Sequence, residues 1–258
     1  MNESNPYEAP STDLQTSDEV GDPRGVEAGR GTAWIGEGFA TFKASPLNWV
    51  IITVLLIVIQ IILGLIPIIG QIAGNIIWPL FIAGIMLGCA ALDEGDDLTI
   101  GHLFAGFSAK PGPLLGLGAM YLVMLLGVGI VVGILAAISG IGMAGLAGAG
   151  GGGMPGGEAV AVGGILMLVL VAMGLFLPVI MAIWFAPALM VLADKGVFES
   201  LKLSFVGCLK NIIPFLIYGI IALVLLIIGA IPFGLGWLVV IPLLWGSLYA
   251  SYRDIYGV

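Results

Sequence analysis

The sequence predicts an all-α integral membrane protein. We expect six transmembrane helices arranged as three hairpin repeats, each preceded by a short cytoplasmic amphipathic helix. Composition is the first reason. Of the 258 residues, 60% are hydrophobic and only 9% are charged, whereas soluble domains carry about 25% charged residues. A water-soluble fold of this length could not bury so much apolar surface, so the chain falls in the membrane class.

The distribution of Lys and Arg predicts the topology. Apolar stretches lie between the basic segments two at a time, so all eight basic residues fall on one side of the membrane. Loops that carry Lys and Arg stay in the cytoplasm. We therefore expect an even number of spans with both termini in the cytoplasm. The basic residues are Arg24, Arg30, Lys43, Lys110, Lys195, Lys202, Lys210 and Arg253.

The first 31 residues differ in composition from the rest. Residues 1–31 are acidic, polar and rich in Pro, Gly and Ser. A segment with so few apolar side chains cannot offset the entropy lost on ordering, so it is expected to be a disordered cytoplasmic tail. It contains no apolar signal-peptide core. Residues 32–258 form the predicted membrane domain.

Six apolar runs follow, and a run of about 20 residues suffices to cross a bilayer core of roughly 30 Å. The Gly-rich stretch 140–157 has too few side chains to span and is predicted to be an outside loop. The fourth run would be about 50 Å long as one helix. It is expected to tilt, to kink at Pro178 or Pro187, or to project beyond the bilayer. The runs cover about 49–69, 72–92, 113–138, 159–193, 212–229 and 235–252.

The sequence contains an internal repeat of three units, and each unit includes one pair of apolar runs. A segment with Phe and then Lys leads through a Pro into two runs, and an Asp follows them. In the third unit, apolar residues recur at helical spacing, which indicates an amphipathic helix. The alternative is a polar loop with a few aromatic residues. The repeated residues are Phe39, Lys43, Pro46 and Asp93; Phe107, Lys110, Pro113 and Asp194; and Phe205, Lys210, Pro214 and Asp254.

Amphipathic helices of this kind lie in the membrane interface with their Lys toward anionic head groups. We therefore predict five lipid anchors and name membrane lipids as partners. The anchors are Lys43, Lys110, Lys202, Lys210 and Arg253.

No pattern indicates catalysis, a cofactor or a metal site. His102 is the single histidine, and no nucleophile and base accompany it. The acidic cluster at 93–97 could hold Ca²⁺ or Mg²⁺, but it lacks EF-hand spacing and is more simply a solvated turn. No charged residue lies in the middle of a run, where ion-coupled transporters usually need one. We expect a protein that is not an enzyme, and its net charge of −8 argues against nucleic-acid binding.

Two features suggest binding. Pro178 and Pro187 lie in the fourth run and mark a cavity or a kink, because a proline frees a backbone carbonyl. The alternative is a bend required by the hairpin. In the tail, the segment NPYEAP could be a linear motif for a protein partner, and the alternative is a solubilising tail. The motif residues are Asn5, Pro6, Tyr7, Ala9 and Pro10.

Several ordered patterns resemble a bacterial family of uncharacterised six-span inner-membrane proteins. They are HLFAGF at 102–107, WFAPAL at 184–189, SFxxCLKNxxPF at 204–215 and YASYRD at 249–254. The similarity extends over about residues 34–256. The resemblance implies a bacterial inner-membrane location and no particular activity.

The leading functional hypothesis is a non-enzymatic membrane scaffold or accessory protein, whose tail and interfacial helices meet a partner or lipid. The second is a transporter or export channel for a small neutral or hydrophobic compound. The repeat and the prolines of the fourth run motivate it. The sequence leaves the ligand and the oligomeric state open.

Overall fold

The computed structural model describes residues 20–138 and 157–258, with side chains from residue 162 onward in the second stretch. These two stretches form ten helices and contain no strand. The predicted outside loop and the NPYEAP segment lie outside the described residues, except for Gly157. The helices are α1 Arg30–Ala44, α2 Pro46–Gly64, α3 Ile69–Asp93, α4 His102–Ala109, α5 Pro111–Ile138, α6 Gly157–Trp184, α7 Ala186–Leu192, α8 Val197–Lys210, α9 Ile212–Ala230 and α10 Trp237–Tyr256.

Five segments of the described chain are long and apolar enough to cross a membrane. They are α2, α3, α5, the stretch Val162–Leu192 and α9. They match the first five predicted runs. Helix α10 corresponds to the sixth run but is less apolar than the other five, because Ser, Tyr, Arg and Asp side chains occupy its second half.

The short helices α1, α4 and α8 pack against long helices from other parts of the chain. Helix α4 packs on α3, and α8 packs on α6 and α7. Each thus lies on the final helix of the pair that precedes it in sequence. Helix α1 has no preceding pair, and it packs on α10, the last helix of the chain. This contact joins the two ends of the molecule.

Two of these crossings are close because a glycine lies at the contact. A Cβ atom at Gly38 of α1 would lie 2.2 Å from the Leu243 carbonyl oxygen of α10. A Cβ atom at Gly106 of α4 would lie 2.1 Å from the Leu80 oxygen of α3. Any larger residue would force the helices apart, so glycine is required at both positions.

The third crossing contains a serine. The Ser204 hydroxyl of α8 donates to the Met181 carbonyl at 2.7 Å and accepts the Phe185 N–H at 2.9 Å. In a continuous helix, that N–H would donate directly to Met181. The hydroxyl is inserted into the helical hydrogen bonds, and the fourth run breaks at Phe185. Pro187 is the second residue of α7, just beyond the break, whereas Pro178 lies inside α6.

Several large side chains are fully buried at one end of the bundle, which we call the charged end because Asp93, Asp194 and Asp254 lie there. Its largest fully buried side chains are Trp34, Trp49, Tyr252 and Phe185. At the opposite end, which we call the turn end, the chain turns at 65–68 and 231–236. There the long helices expose mostly apolar side chains, as lipid contact requires.

Replacing Gly38 with Ala is expected to destabilise the protein by about 1–3 kcal/mol, because the new methyl group overpacks the α1–α10 contact. The matched control is Gly36→Ala in the same helix, where a Cβ atom meets nothing within 4 Å. That change should stabilise α1 by about 0.5–1 kcal/mol. Unfolding of the purified proteins in detergent measures both. Equal stabilities for the two variants would contradict the close crossing.

Candidate functional site

Residues 20–29, which we call the strap, lie in an extended path across the charged end. The fully buried side chain of Asn211 holds the strap at two points. Its Oδ1 accepts the Val26 N–H at 2.8 Å, and its Nδ2 donates to the Arg24 carbonyl at 2.9 Å. The same Nδ2 donates to Gly207 at 2.8 Å. One amide at the junction of α8 and α9 thus satisfies the main chain of the strap.

Further bonds tie the strap to the ends of two helices. Lys210 Nζ donates to the Pro23 carbonyl at 2.8 Å. The Arg24 N–H donates to the Ile255 carbonyl at 2.8 Å, and the Arg24 side chain donates to the Asp254 carbonyl at 2.6 Å. The N-terminal strap and the end of α10 therefore meet. Composition placed residues 20–31 in the tail, and main-chain hydrogen bonds hold Arg24 and Val26 of this stretch against the helices.

The three aspartates of the predicted repeat all bind donors from elsewhere. The Asp254 carboxylate accepts Arg30 Nε and, at 2.7 Å, Trp34 Nε1. Asp93 pairs with Arg253 at 2.5 Å, and Asp194 pairs with Lys110. The bond to Asp254 raises the pKa of Arg30, although partial burial opposes it. The bond from Lys110 holds the pKa of the Asp194 carboxyl below its ordinary value.

Three of the five predicted lipid anchors therefore have partners within the protein: Lys110 and Arg253 in ion pairs, and Lys210 on the strap. Lys43 Nζ lies 5.0 Å from the ring centre of Phe39. Lys202 is exposed, with no bond to any described residue. Contact of these side chains with lipid stays a prediction.

The histidine and the two cysteines are hydrogen-bonded or buried within the protein. His102 Nδ1 accepts the Thr99 N–H at 3.0 Å, one turn before it. Cys89 and Cys208 are free and buried, and burial raises the pKa of Cys208 to about 12. Among the described residues, no group of three or more His, Cys, Asp or Glu side chains is placed to hold a metal ion. The acidic cluster at 93–97 thus forms no such group.

Three cavities follow the groove between α3 and its neighbours. A turn-end cavity of ≈ 310 Å³ has polar walls that include Gln60, Gln71, Asn75 and Tyr121. A middle cavity of ≈ 390 Å³ has apolar walls that include Leu56, Ile57, Ile61 and Ile241. A charged-end cavity of ≈ 310 Å³ is lined by Glu37, Asp93, Tyr249 and Arg253, among others.

The first two of these cavities are adjacent, because Gln60 and Trp78 line both. Helix α10 lines the middle cavity with Trp245 and the charged-end cavity with the next residue, Gly246. The fully buried Trp49 packs on Trp245, with ring centres 6.1 Å apart. These three cavities are lined by other residues than Pro178 and Pro187, and a cavity at the two prolines stays a prediction.

The chain is similar to a protein of Burkholderia thailandensis that is described as a probable inner membrane protein. The two are 28% identical over 255 residues, which cover 90% of this chain and 93% of the other. No family model matches the chain. No solved structure matches it either. Together with the five membrane-length helices, this similarity supports a multi-pass protein of the inner membrane.

Two residues that organise the charged end were not identified from sequence as functional. In the sequence, Ser204 and Asn211 are noted only as two positions of the pattern SFxxCLKNxxPF, with no role assigned to either. Each is a polar residue at the edge of an apolar run, which is a weak signal. Their roles come from backbone atoms more than 15 positions away in the chain, at Val26 and Met181.

The variant Asn211→Leu is expected to release the strap, because the main-chain groups of Arg24 and Val26 lose their partner. Amide hydrogen exchange at residues 20–29 should accelerate, and trypsin should cleave after Arg24 in the folded protein. The control is Asn48→Leu, since Asn48 donates to the distant Leu98 carbonyl at 2.7 Å and does not touch the strap. It should lower stability while leaving the strap protected. Equal protection of the strap in both variants would refute the role of Asn211.

Proposed function

We propose that the protein is a six-span inner-membrane protein with both termini in the cytoplasm, built from three helix pairs that each follow a short amphipathic helix. The bonds between the strap and the end of α10 support this topology. Ends that touch lie on one side of the membrane, so the chain crosses it an even number of times. With five strongly apolar segments, α10 is the sixth span.

The polar residues of α10 fit a membrane position. Ser247 and Ser251 are buried against protein. Their hydroxyls donate within α10, to Leu243 at 2.9 Å and to Leu248 at 2.8 Å. No unpaired hydroxyl from these two residues faces lipid, which is the condition a membrane imposes on polar groups. Because α1 packs on the polar half of α10, these polar side chains are buried within the protein.

We further propose that the protein works as a non-enzymatic scaffold or accessory protein that presents its N-terminal tail to a partner. The observation that carries this is the clamp of Asn211 on the strap. The clamp gives residues 1–19 a fixed starting point beside the C-terminus. A binding segment tethered at a fixed point meets a partner at that face at high effective concentration. The ion pairs of the charged end help to hold the helices beside the strap. Their carboxylates bind basic side chains of the protein itself.

Removing residues 1–19 should abolish capture of the partner while leaving the membrane domain folded, because the strap and its contacts remain. In-cell crosslinking and co-purification of the intact and truncated proteins measure this. A full-length variant with Asn5, Pro6 and Tyr7 changed to Ala separates the motif from the length of the tail. The same set of crosslinked proteins from all three would contradict a role for the tail.

A carrier for a small neutral or hydrophobic compound is the second candidate. The series of cavities along α3 and α10 favours it, since a compound could pass from the turn-end cavity to the middle cavity. The tryptophan pair Trp49 and Trp245 would then close the way to the charged end.

Filling the middle cavity tests the carrier. Ile57→Trp places an indole in the cavity wall, whereas the control Val54→Trp adds the same bulk at a similarly exposed position outside it; the native side chains are 38% and 41% exposed. Flux of small neutral compounds into vesicles should fall for the first variant alone. Unchanged flux with Ile57→Trp would remove the support for transport.

A further inference from the structure

We propose that the turn-end and middle cavities together bind one neutral lipid. Its uncharged, hydroxyl-bearing head lies in the turn-end cavity, and part of its apolar chain lies in the middle cavity. The shared walls at Gln60 and Trp78 make this a single amphipathic site. Binding there does not depend on whether the protein carries anything across the membrane.

The head site is lined by three amide side chains, of which one makes a hydrogen bond within the described part of the protein. Asn75 Nδ2 donates to the Gln71 carbonyl at 2.8 Å. The side chains of Gln60 and Gln71 make no hydrogen bond to any described residue. Both glutamines are exposed, and an amide carries two donors and an acceptor, so these groups are available to a ligand in the cavity. The hydroxyl groups of a lipid head can both donate to these amides and accept from them.

The walls also decide the charge of the head. No Asp, Glu, Lys, Arg or His lines either cavity. A phosphate or carboxylate would leave water without gaining the cation that normally pairs with it. An ammonium group would equally lack an anion. The site therefore favours an uncharged head over the charged heads of common membrane lipids.

The chain site is lined mainly by apolar side chains, and Gln60 at its edge is the one amide among the residues that line it. Thr53 lines the middle cavity, but its hydroxyl donates to the Trp49 carbonyl of its own helix at 2.8 Å. The remaining walls are aliphatic or aromatic. The bilayer around the protein is as apolar as the middle cavity. Contacts with the lipid chain therefore orient the ligand, and contacts with its head confer selectivity.

The depth of the site suits a lipid. Gln60 lies four residues before the end of α2, which is about 6 Å along the helix. Thr53 lies about 10 Å deeper. Trp78, which is 37% exposed, stands where the two cavities meet. Tryptophan is favoured at this boundary, where one side is apolar and the other is polar.

The test uses the full-length protein in phosphatidylcholine nanodiscs and a monoacylglycerol that carries a diazirine in its chain. Labelling should saturate, and the labelled peptides should come from α2, α3 or α10. Unlabelled monoacylglycerol should compete at least about tenfold better than a fatty acid or a lysophosphatidic acid of equal chain length. Labelling that does not saturate, or equal competition by a charged lipid, would overturn the proposal.

Variants separate the head site from the chain site. Gln60→Leu should weaken binding about five- to tenfold, as expected for lost hydrogen bonds. Trp78→Ala should weaken it as well. The control is Trp237→Ala, a tryptophan of similar exposure (41%) that lines neither cavity, and it should bind like the native protein. Thermal unfolding checks that each variant is folded. Binding unchanged by Gln60→Leu, or weakened equally by Trp237→Ala, would refute the site.

Discussion

The contact of α1 with α10 joins the first helix of the chain to the last, and the organisation of the charged end depends on it. The glycine at position 38 lets the two backbones approach, and Arg30 and Trp34 of α1 both bind the Asp254 carboxylate. The polar second half of α10 is covered by this contact. Without it, Ser247 and Ser251 would lose their cover, and the strap would lose the helix end to which it is bonded.

A second constraint is the need to pair every polar group in an apolar environment. At two places the chain meets it with a side chain that completes the hydrogen bonds of another segment, whereas the buried Trp184 Nε1 and Ser200 Oγ have no partner among the described residues. Ser204 bridges the break between α6 and α7, and Asn211 satisfies the main chain of the strap. Such residues do two things at once: they remove an unpaired group, and they determine which segments pack together.

Charge and neutral polarity are separated along the molecule. The ion pairs of Asp93, Asp194 and Asp254 stand at the charged end. The amides of Gln60, Gln71 and Asn75 stand in the turn-end cavity, which no ionisable carboxylate or amine lines. An ion is costly to bury, and an amide is less so. This separation leaves the turn-end and middle cavities without a charged wall, and the proposed neutral lipid depends on that property.

Periodicity and composition alone determined the membrane class, five of the long apolar helices and the short helices before them, and they left open whether the fourth run tilts, kinks at Pro178 or Pro187, or projects beyond the bilayer. These are local properties, since an apolar run of sufficient length must be helical in a membrane. Only the tertiary structure decided that α1 packs on α10, that Asn211 holds the strap and that Gln60 and Trp78 join two cavities. Those contacts connect residues as far apart as Arg24 and Asp254. Linear spacing carries no information about such pairs, because the way the helices pack, and not their sequence order, brings them together.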